Sequence, residues 1–282
     1  MDVVSRPKYA AKVDSWIGKG QIIVLVGQRR VGKSFVLKDF IERHKTETDA
    51  NIISIDKEKK SFDDIKTYAD LNQYIDQRFD SRKHNYILID EVQDISEWER
   101  TVRSYRTEDN TDIIVTGSNS SMLSSDLGTI IGGRYEEIHI HSLNYREFLL
   151  FHNLEDNDSS LSLFLNYGGL PGLSRVGIDD DEHCWEYIGG VYNTVMLKDV
   201  IERHEIRNLP FMNNLARFLA DNVGKLNSAN SIAKTMKSLG QSVSTRVVLE
   251  YLGYFGEAYL LYDAPRFDIH GKKVFESNDK VY

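Results

Sequence analysis

Unbroken apolar runs of about strand length alternate with stretches of helical spacing along the first half of the chain. Residues 22–26 (Ile-Ile-Val-Leu-Val) form the first run, and Phe35, Val36, Leu37, Phe40 and Ile41 then recur at helical intervals. Further runs at 51–56, 86–89, 112–116 and 137–141 are separated by helical stretches. Strands that are apolar on both faces suit a buried parallel sheet covered by helices. The pattern therefore predicts an α/β fold with a five-stranded parallel sheet in residues 1–142.

From Leu143 onward the period is mostly helical. Residues 145–151 and 161–167 flank an acidic break at 155–158. Gly168-Gly169-Leu170-Pro171-Gly172 follows, and another helix starts near Cys184. Residues 143–210 are expected to form a helical lid. Within it, Lys198, Asp199, Glu202 and Arg203 mix signs at helical spacing, which predicts a solvated, salt-bridged face, with a contact between lid and core as the alternative. Residues 211–282 read as three short helices (211–222, 228–236, 245–252), with Ser244 as an N-cap, and then an extended hairpin starting at 258–262. That is the order of a winged helix.

Chemistry enters at the end of the first strand. Gly27-Gln28-Arg29-Arg30-Val31-Gly32-Lys33-Ser34 matches G-x-x-x-x-G-K-[ST] in full, between a strand and a helix. Backbone N–H groups of such a loop wrap a di- or triphosphate, and the following helix adds its dipole. Residues 27–34 with Phe35 are thus the expected ATP-binding set. Lys33 would neutralise β- and γ-phosphate charge, and Ser34 would ligand Mg²⁺. The run at 86–89 ends in Asp90-Glu91, at the strand end where open α/β sheets bind ligands. Asp90 is expected to orient Mg²⁺ and Glu91 to polarise the attacking water. An acid pair there points to ATP hydrolases of the additional-strand class rather than to kinases or GTPases.

Other positions are less decided. The strand at 112–116 runs into Gly117-Ser118-Asn119, where Asn119, or alternatively Ser118, would touch the γ-phosphate; the same residues also read as a plain turn. Arg134, after Gly132-Gly133, either reaches a γ-phosphate in its own or a neighbouring subunit or is a surface arginine. Pro171 either walls an adenine or stops a helix. His139 and His141 share a strand face but lack a third ligand, so exposed edge residues are expected.

Composition narrows the class. The 282 residues are 41% hydrophobic and 28% charged, with net charge −8 and one cysteine, Cys184. No run is long enough to span a membrane, and the start lacks signal-peptide features. A cytoplasmic protein with a plain thiol is expected. The acidic balance confines any nucleic-acid contact to a local patch. Over residues 211–262 five basic residues (Arg217, Lys225, Lys234, Lys237, Arg246) stand against three acids (Asp221, Glu250, Glu257), a weak bias that leaves double-stranded DNA or a protein as partner. The oligomeric state is open.

Taken together, these motifs resemble the bacterial and archaeal AAA-type ATPases that often carry a C-terminal nuclease-like domain. The resemblance rests on 27–34, on Ile87–Gln93 (I-L-I-D-E-V-Q) and on Thr116–Ser120 (T-G-S-N-S). It continues through 132–134, 145–149, 168–171 (G-G-L-P), 197–200 and 228–273. It implies a P-loop core related to the AAA+ and signalling ATPases, a lid and a winged helix, with Pro171 near adenine. The chain stops at Tyr282, where such proteins continue into the nuclease-like domain, so no nuclease activity is expected of these residues.

Overall fold

The computed structural model describes residues 4–118, 131–264 and 280–282. The chain divides into two compact units, Met1–Tyr192 and Asn193–Tyr282.

The first unit is built on a sheet of β1 (Ile22–Val26), β2 (Ala50–Asp56), β3 (His84–Asp90), β4 (Thr111–Gly117) and β5 (Tyr135–His139), in the order β2-β3-β4-β1-β5. Every ladder is parallel. β4 therefore lies between the phosphate-loop strand and the acidic strand, as the additional-strand class requires. All five residues of β1 are fully buried, which is why its sequence is apolar without alternation.

Helices α1 (Pro7–Asp14) and α2 (Lys33–His44) pack on the sheet through Tyr9, Val13, Val36, Leu37 and Phe40, against Ile23, Leu25, Tyr86, Leu88 and Ile138. Phe40 has no exposed surface. Truncating it to alanine would cost about 3–5 kcal/mol. Helices α3 (Tyr68–Asp76) and α4 (Trp98–Tyr105) follow β2 and β3.

Beyond β5 come α5 (Tyr145–His152), α6 (Asp158–Tyr167), the short α7 (Leu173–Val176) and α8 (Asp181–Thr194). Asn144 and Glu147 form a capping box at the start of α5, and Asn157 caps α6. Leu143, Phe148, Tyr167, Leu173, Ile178 and Cys184 make a separate small core there. Burial pushes the Cys184 thiol pKa up, the opposite of an activated thiolate.

The second unit begins with a π-helical stretch, Val195–Glu202, and continues with α9 (Leu209–Asp221), α10 (Ala229–Ser238) and α11 (Thr245–Glu257). Asn208, Ser228 and Ser244 cap these three helices through their side chains. β6 (Asp263–Ala264) pairs antiparallel with β7 (Lys280–Val281), and Leu226 bridges to Lys280.

Two expectations are corrected. Asp199 is buried at 1% exposure among Val195, Met196 and Val200 rather than lying on a solvated face. Residues 258–262 are not a strand. The chain leaves α11 with Tyr259 in a left-handed conformation (φ 54°), and the N–H groups of Leu260 and Leu261 turn back to the Phe255 carbonyl, so extended pairing starts only at Tyr262, which exchanges two backbone hydrogen bonds with Tyr282. No described helix is long and apolar enough to cross a membrane.

Candidate functional site

The C-terminal ends of β1, β3 and β4 lie side by side because the strands are parallel and in register (Val26 with Gly117, Ile89 with Val115). The motif residues converge on that edge.

The loop from β1 to α2 curls through three residues at positive φ: Gly27 (143°), Arg30 (67°) and Gly32 (102°). A Cβ on Gly27 would lie 2.2 Å from the Ile140 carbonyl oxygen, so glycine is required there. Gly32 is the N-cap of α2. Lys33 is 4% exposed, and its Nζ donates to the carbonyls of Gly27 (2.9 Å) and Gln28 (3.0 Å). The ammonium thus sits inside the loop. Gln28 and Arg29 are half-buried and Arg30 is exposed.

Asp90 and Glu91 are 4% and 6% exposed. Burial pushes the Asp90 carboxyl pKa up; hydrogen bonds from Thr116 and Ser34 oppose this, and the charges of Glu91 and Asp56 add to it. Asp90 and Ser34 are thus joined by a hydrogen bond, which brings the two expected cation ligands together. Thr116 joins the acids: its hydroxyl donates to Asp90 Oδ1 (2.5 Å) and accepts the Glu91 N–H (2.9 Å). Glu91 itself is left-handed (φ 53°, ψ 53°), a strained position for a branched-free acid that this bond helps to hold. Gln93 Nε2 donates to Glu91 Oε2 at 2.5 Å. Ser118, at the tip of β4, has no exposed surface, and its hydroxyl has no hydrogen-bond partner among the described residues. Two acids, two hydroxyls and a buried orphan hydroxyl beside a phosphate loop fit a hydrated divalent cation and an anionic ligand.

Asn119 lies outside the described residues. Pro171 approaches the loop: its Cγ lies 3.8 Å from where a Cβ on Gly32 would be. The Gly169 carbonyl accepts the Leu143 N–H at 2.7 Å, which anchors the Gly-Gly-Leu-Pro strap beside the sheet exit. Arg175 places its guanidinium 4.8 Å from the centroid of the Phe35 ring.

Arg134 is not brought to this edge. It is exposed, and its carbonyl accepts the Ile22 N–H at the opposite end of β1. Four residue steps of strand, about 13 Å, separate that end from the loop. The own-subunit role considered for Arg134 has no geometric support. His139 and His141 are exposed on or just past the edge strand, with His139 paired to Glu137, and the described residues hold no cluster of three metal-ligating side chains.

Thr116 and Gln93 lie in motif segments that assign them no role, and Arg175 and Arg6 (below) carry no motif signal. The first could have been found as the one hydroxyl at the end of a buried apolar strand.

The chain is similar to several known proteins. A family model described as an AAA domain matches residues 19–149, and one described as a domain of unknown function matches residues 158–282. An uncharacterized protein of Haemophilus influenzae is 32% identical over 289 residues, covering 99% of this chain and 71% of its own length. An uncharacterized protein of Methanocaldococcus jannaschii is 28% identical, and the alignment covers 93% of this chain and 60% of that protein. Among solved structures, the Thermotoga maritima RuvB Holliday junction branch migration motor is similar at a TM-score of 0.46 and 13% identity, covering 98% of this chain and 96% of that one. The Aeropyrum pernix Orc1 protein in complex with DNA is similar at 0.41 and 12%, covering 99% and 90%.

Proposed function

The chain belongs to the AAA-domain family of P-loop ATPases, and we propose that it hydrolyses ATP with Mg²⁺ at the edge formed by β1, β3 and β4. The observation that carries this reading is the joined set Ser34–Asp90–Thr116–Glu91 at the mouth of the phosphate loop.

In this reading the loop N–H groups of 27–34 and Lys33 hold the β- and γ-phosphates, with Phe35 flanking them. Ser34 and Asp90 hold the cation, which when bound neutralises charge developing on the phosphates. Glu91 accepts a hydrogen bond from the attacking water and aligns it. Thr116 fixes both acids, and Ser118 with Asn119 meets the γ-phosphate. Pro171 walls the adenine. Arg134, exposed and remote from its own loop, serves a neighbouring subunit's nucleotide. Residues 143–210 act as the lid and 211–282 as a winged helix, and the nucleotide state moves both.

A second reading is a nucleotide-gated switch with slow hydrolysis that binds duplex DNA through 211–282. It is supported by the order of α9, α10, α11 and the β6–β7 pair; a protein partner is the other outcome of its test.

Phosphate release by Glu91→Gln tests the first reading. Turnover should fall by about 10²–10⁴-fold, the usual range for losing a proton-handling group, with nucleotide binding retained. Wild-type turnover in that variant would sink the assignment. Acceleration of the wild type by duplex DNA at low salt would favour the switch.

A further inference from the structure

Arg6 is a buried cation, 6% exposed, in a segment without a motif. It is the N-cap residue of α1, with Pro7 behind it as the first helical residue. Its Nε and Nη2 grip Glu147 as a fork, at 2.9 Å to Oε1 and 2.8 Å to Oε2. Its Nη1 donates to the Val31 carbonyl (3.2 Å) and the His141 carbonyl (2.9 Å), and Nη2 to the Ser142 carbonyl (3.3 Å). The Tyr9 ring lies 4.4 Å beneath the guanidinium, and the Tyr9 hydroxyl accepts the His141 N–H at 3.1 Å. Three separate parts of the chain thus meet on one guanidinium: the phosphate loop, the exit of β5 and the first turn of α5.

The bond to Val31 has a consequence for the loop. A peptide unit is planar and trans, so the Val31 carbonyl and the Gly32 N–H point in opposite directions. Holding that carbonyl outward turns the Gly32 N–H to the side where a phosphate is cradled. Glu147 links this to the helix beyond the sheet, because the same carboxylate also accepts the Asn144 N–H in the capping box of α5. Burial alone would raise the Glu147 pKa, but the Arg6 guanidinium and the Asn144 bond outweigh it and hold the carboxyl below its usual value.

We propose that Arg6 is a positioning residue for nucleotide binding, which fixes the Val31–Gly32 peptide of the phosphate loop and, through Glu147, ties it to α5. The assignment rests on nucleotide binding at the loop and is independent of hydrolysis.

The test is titration of the full chain with a fluorescent ADP analogue and Mg²⁺, together with melting temperatures without nucleotide, for wild type, Arg6→Lys, Glu147→Gln and Val13→Ala. A lysine keeps the charge but lacks the fork that reaches five acceptor oxygens on four residues. Arg6→Lys should raise the dissociation constant about tenfold, the effect of losing one hydrogen bond from a charged donor. Glu147→Gln keeps one acceptor oxygen but loses the charge and one arm of the fork, because its NH2 cannot accept from the guanidinium, and should raise it about threefold or more. Val13→Ala lowers stability from the same helix, where Val13 is 1% exposed, and should leave the dissociation constant unchanged. Hydrogen exchange of residues 145–152 should slow on ADP binding in the wild type and not in Arg6→Lys. Wild-type affinity in both Arg6→Lys and Glu147→Gln overturns the assignment, as does an equal loss in Val13→Ala. If Arg6→Lys does not fold, Glu147→Gln decides. Failure of the wild type itself to bind overturns both this assignment and the nucleotide reading.

Discussion

Asp90 and Asp112 are both buried carboxylates on the same sheet, 4% and 2% exposed, yet they stand at opposite ends of neighbouring strands. Asp112, near the start of β4, is satisfied by permanent partners. It accepts the Gly18 N–H at 2.9 and 3.0 Å and the His84 Nε2 at 2.7 Å. Asp90, at the end of β3, has the hydroxyls of Thr116 and Ser34 as its direct side-chain partners among the described residues, with two more acids nearby, and burial drives its pKa up. Neutral hydroxyls compensate a buried negative charge poorly. One acid is satisfied within the fold, and under the proposed function a cation would complete the other. The strand end, rather than the burial, separates them, because the C-terminal edge is where loops open toward a ligand.

The largest effect that would break this contrast is expected from Asp90→Asn. Cation-dependent phosphate release should fall by about 10²-fold or more, as when a preorganised charged group is removed from a site. The protein without nucleotide should be at least as stable as wild type, because a neutral amide replaces a poorly compensated buried charge. A large drop in melting temperature with unchanged turnover would make Asp90 a structural acid like Asp112.

Asp112→Ala should behave in the opposite way. It leaves the Gly18 N–H and His84 without their acceptor, costing about 1–3 kcal/mol of stability. ADP affinity should be unaffected, since Gly18 and His84 lie at the far end of β1 and β3. Denaturant melts read the first quantity and ligand titration the second; weakened ADP binding would show that the two ends of the sheet are coupled.

The same contrast explains what could be read in advance. The loop 27–34 and the pair Asp90-Glu91 were legible because their spacing within one short stretch is the signal, and the uninterrupted apolar runs announced the parallel sheet. Thr116 was not legible as a partner of both acids, because its role depends on the β3–β4 register. Arg6 was hidden more deeply, with contacts 25 to 141 residues away in sequence. A charge in a short polar segment ordinarily reads as solvated, and only the fold buries it. Asp199 misled for the same reason. The extended reading of 258–262 failed because Tyr259 takes a left-handed turn that apolar alternation does not encode.

The smallest effect tests whether the far end of the sheet serves a neighbour. Arg134 is exposed beside Ile22, with its own phosphate loop at the other end of β1. Arg134→Ala should therefore leave stability and ADP affinity unchanged, because the side chain is exposed and far from its own phosphate loop. If Arg134 acts in trans, wild-type turnover per subunit rises with protein concentration and the variant's turnover stays flat at the low-concentration value. An arginine finger can contribute about 10³–10⁵-fold when fully engaged, so even partial assembly separates the two curves. Superimposable curves for wild type and variant across concentration would leave Arg134 a surface residue. The functional chemistry of this sheet would then lie entirely on the edge that carries Asp90.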